Sequence, residues 1–190
     1  MSQQSHLLGF LTVTESPRHG FIGGYLVLNT TGRPVEFHCT TPVRATRAQE
    51  ILYGTTLKPF LCGEQIAVTL IQKSKNKPDF FLTDYQAIVA AEPLLDVSIA
   101  YIYPEKNDIA PMRISHRENF TEGMNSQEEF CRKNNKEMVE IREKQLEISN
   151  SSISAKDDVV KQLKLFSETI DLHEPFERIR LALEEAQRAA

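Results

Sequence analysis

The chain has 190 residues, 22 of them Lys or Arg and 26 Asp or Glu, giving a formal charge of −4. That balance lacks the basic excess of a general nucleic-acid binder, and 41% hydrophobic with 25% charged residues places the chain among folded globular proteins. Cys39, Cys62 and Cys131 are odd in number and contain no CxxC pair, which excludes a disulfide framework and a zinc ribbon, and no run approaches the roughly 18–20 apolar residues of a membrane span.

In chain order, Leu8 to Thr14 predicts a strand, with Pro17 to Gly20 as the turn after it. Gly23 to Thr40 then predicts a β-hairpin around Asn29-Thr30-Thr31-Gly32. Leu26, Val27 and Leu28 are continuous, as in a central strand covered on both faces. Val35, Phe37 and Cys39 alternate with Glu36, His38 and Thr40, which predicts a buried apolar face and a polar outer one. Thr46 to Tyr53 predicts a short helix stopped at Gly54, and Leu57 to Ser74 a second helix ending in Lys73, Lys75 and Lys77. Phe80 to Thr83 predicts a buried strand, Tyr85 to Ala91 a helix, and Val97 to Tyr103 a last strand.

The character of the chain changes at about residue 104. Residues 105–190 hold 18 acids and 14 bases, while residues 1–104 hold eight of each, and seven of the eight glycines precede residue 64. The expected fold class is therefore α/β (α+β): a mixed, largely antiparallel sheet with packed helices over 1–104, an irregular linker at 105–125, and a charged helical extension at 126–190. In the extension a capping box at Ser126 to Glu129 opens a helix to about Ile148, with Phe130, Met138, Ile141 and Ile148 as a thin apolar stripe. A second helix carries Val159, Leu163, Phe166 and Ile170 on one face, and a third begins near Pro175 with Phe176, Ile179 and Leu183.

Cys62-Gly63-Glu64 at the start of the second helix resembles the zinc-dependent cytidine deaminase family, whose helix opens with His or Cys, a small residue and Glu. The resemblance spans residues 20 to 103. It implies a deaminase-like core in which Cys62 binds zinc and Glu64 shuttles protons. The family's Pro-Cys-x-x-Cys is replaced by Asp84-Tyr85-Gln86-Ala87, so no metal site and no cofactor is expected.

His38, on the polar face with Glu36, joins Cys62 and Glu64 as a catalytic candidate. Gly20-Phe21-Ile22-Gly23-Gly24 lacks the spacing of a dinucleotide or phosphate loop, so no cofactor-binding glycines are assigned. Arg33, Arg44, Arg47 and Lys58 form a basic run, read first as scattered solvated charges and otherwise as a hold for an anionic ligand or an acidic partner, and Lys73, Lys75 and Lys77 form a second small basic patch.

On these grounds the leading expectation is a non-enzymatic interaction or regulatory module. Its helical arm would use Val159, Leu163, Phe166 and Ile170 to bind a protein partner or a second copy. The alternative is a small-molecule hydrolase using His38, Cys62 and Glu64. No nucleic acid and no membrane is expected as a partner. Met1 to His6 lacks the features of a secretory signal, and with the cysteine usage this makes the cytoplasm the expected compartment.

Overall fold

The computed structural model describes residues 6–78, 80–95, 97–104, 136–149 and 153–188. The strands are β1 (Leu7–Ser16), β2 (Gly20–Asn29), β3 (Pro34–Cys39), β4 (Phe80–Thr83), β5 (Ile99–Ile102), β6 (Lys136–Ile141) and β7 (Lys144–Ser149). They make one mixed sheet in the order β3-β2-β1-β4-β5-β7-β6. β1 runs antiparallel to β2 and parallel to β4, β4 is parallel to β5, and β7 returns antiparallel to both β5 and β6. The expected α/β class is therefore what is found.

The helices divide between the two faces. Among the described residues four are regular: α1 (Arg47–Tyr53), α2 (Val68–Lys73), α3 (Ile153–Thr169) and α4 (Glu174–Arg188). A wide-wound π-helical stretch, Pro59–Ala67, leads directly into α2, and a 3-10 stretch, Gln86–Leu94, links β4 to β5. α1 follows its sequence signals closely. Thr46 and Gln49 cap it reciprocally, and Gly54 ends it at φ +50°.

Alternation along the strands sorts the core in two. Leu8, Phe10, Leu26, Leu82 and Ile102 face α3 and α4, meeting Leu163, Phe166, Phe176 and Ile179. Leu11, Val13, Tyr25, Val27 and Phe81 face the π-helical stretch and meet Leu61, Cys62 and Ile66. α4 comes very close to the sheet over Gly24, where an added Cβ would collide with Cγ2 of Ile179. Phe176 also meets Phe10 edge-on, with ring centroids 5.4 Å apart.

Three expectations are corrected here. The helix expected to reach Ile148 is, over 136–149, the β6–β7 hairpin; the part expected at 126–135 and the linker at 105–125 lie outside the described residues. Val139 and Ile141 alternate with Met138 and Glu140, and Leu146 and Ile148 with Glu147, a period of two that the many charges conceal. Second, Val159, Leu163 and Phe166 are buried under the sheet and Ile170 packs at the edge of the same cluster, so this stripe completes the core and is no interaction arm. A single cluster thus unites residues 8–102 with residues 141–183, and the division at 104 crosses it.

The third concerns β3. Val35, Phe37 and Cys39 are exposed, while the side chain of Glu36 is only 9% exposed. β3 is an edge strand, and its polar face turns toward Tyr25 and the segment 74–76, where Glu36 finds donors.

Candidate functional site at the carboxyl end of strands β1 and β4

β4 ends at Thr83, opposite Leu11, whereas β1 continues to Ser16 and turns into β2 at Gly20. The β1–β2 hairpin therefore projects five residues beyond its parallel neighbour, roughly 16 Å at about 3.3 Å per residue. Along β1 the residues on the α4 side change from Leu8 and Phe10 to Thr12, Thr14 and Ser16, so a polar row leads from the core to the tip.

At the base of this row stands Asp84, one residue past β4 and level with Thr12 on β1. Arg180 of α4 binds Asp84 through Nη2 and Oδ2 and donates from Nη1 to Glu177 at 2.6 Å. Asp84 Oδ1 and Thr12 Oγ1 are both buried and have no hydrogen-bond partner among the described residues. Unmet acceptors cost about 1–3 kcal/mol each and concentrate where another molecule supplies the donor. On the opposite face, burial and then the charges of Asp84 and Glu147 push the Tyr101 phenol up, and the Tyr103 hydroxyl donates to Glu147 at 2.8 Å.

The tip is basic. Arg18 and His19 are exposed on the turn, and Gly20 takes φ +83° there. That glycine also makes room for its neighbours: a Cβ on it would collide with the Val43 carbonyl and lie 2.7 Å from Cγ of Arg44. Phe21 and Val43 exchange two backbone hydrogen bonds of 2.8 Å, which fixes Arg44 against the turn. Lys58 extends the same surface, 2.7 Å from Glu15 and 5.9 Å from the centre of the Phe21 ring. With Arg47, paired to Glu50 at 2.9 Å, Arg18, Arg44 and Lys58 make four cations against Glu15 and Glu50 among the described residues, in a chain whose overall charge is negative.

The three catalytic candidates are not brought together. Cys62 is fully buried, its thiol pushed up to about 11 mainly by burial, and Tyr85 is its hydrogen-bond partner. Such a thiol stays protonated at neutral pH and packs with Leu61 and Ile66 in the core. Glu64, two residues on, is exposed on the other side of the helical turn, and the helix begins at Pro59, so neither residue stands at its amino terminus. His38 lies on β3 and contacts Glu36 at 2.5 Å, with its ring stacked on Tyr25. Among the described residues no group of three or more His, Cys, Asp or Glu side chains could hold a metal ion.

Glu36 is the centre of a closed network. Its carboxylate accepts from the Lys75 and Asn76 backbone N–H groups, from the Asn76 side chain and from the Ser74 hydroxyl, besides its contact with His38. Burial pushes this carboxyl up, yet these hydrogen bonds together hold it well below the usual carboxylate range. The network ties the exit of α2 to β3 and leaves nothing for a ligand.

Sequence reasoning noticed Arg44, Arg47 and Lys58 but missed Thr12, Arg18, His19, Asp84 and Arg180. The signal for the first was the hydroxyl alternation Thr12, Thr14, Ser16 inside an otherwise apolar strand. Nothing local could pair Asp84 with Arg180, 96 positions apart.

The fold and this end of the sheet define a mixed α/β protein with helices on both faces. No protein-family model matches the sequence, and no curated protein does. Among solved structures, human ENDOV is similar at 11% identity and a TM-score of 0.47, covering 99% of this chain and 87% of that one. Ciona intestinalis Endonuclease V in complex with a 24mer DNA is similar at 13% identity and 0.47, covering 96% and 87%. Marinitoga piezophila Argonaute in complex with a guide RNA is similar at 11% and 0.38, covering 87% of this chain and 26% of that one.

The expected interaction module, with its protein-protein role, its arm for a partner or second copy and its exclusion of nucleic acid, is withdrawn. The arm itself lies in the core, and two of the similar structures hold DNA or RNA, where no nucleic acid was expected. The alternative hydrolase built on His38, Cys62 and Glu64 is withdrawn with it, because the three residues share no site. No helix among the described residues is long and apolar enough to cross a membrane.

Proposed function

We propose that the protein binds nucleic acid through its phosphates at the projecting β1–β2 hairpin. The observation that carries this reading is the Gly20 turn, which sets Arg44 against the turn bearing Arg18 and His19 and so concentrates exposed cations on an otherwise acidic chain. Phosphate oxygens are recognised by guanidinium groups that present several donors in a fixed plane. Lys58 adds a point charge beside them. A localised basic surface of this kind also steers a polyanion to one place on a protein whose net charge repels it elsewhere.

The base of the hairpin supports the same reading in a different way. Arg180, shared between Asp84 and Glu177, anchors α4 at the carboxyl end of β4. Beside it, Asp84 Oδ1 and Thr12 Oγ1 are buried polar atoms without a hydrogen-bond partner among the described residues.

A fluorescent oligonucleotide titrated at low salt tests the proposal. Wild-type protein should bind, and Arg18→Glu with Arg44→Glu should weaken binding at least tenfold. Lys75→Glu with Lys77→Glu, an equal charge change away from the hairpin, should have less than a twofold effect. Equal losses in the two double variants would reduce the effect to general charge and refute the assigned surface.

A further inference from the structure

Between Arg47 and Lys58 of the basic surface the chain carries a partly exposed aromatic residue. Tyr53, the last residue of α1, stacks on Phe60 with ring centroids 4.2 Å apart and planes within 22°. Both rings are half-buried, so the pair keeps part of its surface in solvent. The pair is near the hairpin along the chain. Val43 pairs with Phe21, Phe21 lies under Lys58, and Phe60 follows Lys58 by two residues, on another side of the same helical stretch. The surroundings of the pair are also apolar at the surface: Ile51 and Leu52 of α1 are 67% and 81% exposed, and no residue of α1 is buried.

Phosphate contacts alone do not distinguish a duplex from a single strand. An accessible ring next to cations does, because the face of an unpaired base stacks on it while the bases of a duplex stay stacked on one another. Resting on the nucleic-acid reading above, we infer that the ligand is single-stranded, its backbone held by Arg18, Arg44 and Lys58 and one base stacked at Tyr53. Stacking tolerates every base, so the preference is for strandedness and not for sequence.

The chain contains no tryptophan, so Tyr53→Trp supplies a single emitting indole at the place in question. The full-length Tyr53→Trp protein is titrated with a twelve-nucleotide oligothymidylate, with a duplex of the same length, and with heparin. The single strand should quench the fluorescence, while heparin should bind without quenching. In parallel, Tyr53→Ala should lose about tenfold in affinity for the single strand and keep its affinity for heparin. Thermal melts confirm that each variant is folded, which the exposed position of α1 favours.

Wild-type protein that binds duplex as tightly as single strand, or quenching by heparin equal to that by the oligonucleotide, would overturn the inference while leaving phosphate binding at the hairpin intact. Absence of oligonucleotide binding by the wild type, or binding indifferent to Arg18→Glu with Arg44→Glu, would overturn the underlying reading and this inference together.

Discussion

Two acidic residues of this protein, Glu36 and Asp84, both lie largely out of solvent beside the sheet, and they are treated in opposite ways. Glu36 takes donors from two backbone amides and three side chains, counting its contact with His38, and leaves no lone pair unmet. Asp84 has one cationic partner, and its second oxygen is buried without a hydrogen bond among the described residues. The first arrangement makes structure, because every contact is internal. The second leaves an acceptor unmet, and it sits at the base of the hairpin where β1 outruns β4. Saturation, more than burial or charge, separates a structural carboxylate from one at a binding end.

The largest expected effect comes from removing the saturated group. Glu36→Ala leaves donors of Ser74, Lys75 and Asn76 unmet, and should lower the unfolding free energy by about 3 kcal/mol in denaturant titration. Oligonucleotide affinity of the folded fraction should not change. A loss below about 1 kcal/mol would mean that water replaces the carboxylate easily and that the contrast between the two acids is weaker than drawn.

Gly24→Ala comes next, since its methyl group would enter Ile179 on α4. Overpacking of this kind costs about 1–3 kcal/mol, read as a lower thermal midpoint. It would shift α4 and Arg180, so it couples the core to the binding end, and weaker oligonucleotide binding should accompany the lower midpoint.

Acid should reveal Glu36 again. Its folded-state carboxyl lies below the ordinary value of 4.5, so its contribution is full above that value and is lost as pH falls toward the folded-state value. Stability measured below about pH 4.5 should therefore fall more steeply in the wild type than in Glu36→Gln. Parallel curves would remove Glu36 as the cause. The smallest effect belongs to Asp84→Asn, below about 1 kcal/mol, because Arg180 keeps Glu177 and remains partly exposed.

The parts of the fold that sequence made legible are those with local causes. β2 is central because Leu26, Val27 and Leu28 are continuous, and α1 ends where Gly54 permits a positive φ. The β6–β7 hairpin was hidden for an equally local reason. Its turn residues, Arg142 at φ 47° and Glu143 at φ 67°, adopt the left-handed region without the Gly or Asn that normally announces it. Their conformation accompanies the Arg142 guanidinium donating to the Ser167 carbonyl near the end of α3. The Val159 to Ile170 stripe was visible as apolar, but its destination in one cluster with Leu8, Leu26 and Leu82 depends on contacts with residues far away in the chain. The same holds for the binding end. The hydroxyl row of β1 is in the sequence, while the meeting of Thr12, Asp84 and Arg180 belongs to the topology.

The measurement that addresses the central claim most directly is the salt dependence of oligonucleotide binding, wild type against Arg18→Glu with Arg44→Glu. Each phosphate neutralised on a single strand contributes about −0.7 to the slope of log affinity against log salt, so three or four contacts predict a slope of roughly −2 to −3 for the wild type. Loss of the two hairpin arginines should flatten it by about 1.4 or more. A wild-type slope near zero, or a slope the substitutions leave unchanged, would contradict phosphate recognition at the β1–β2 hairpin.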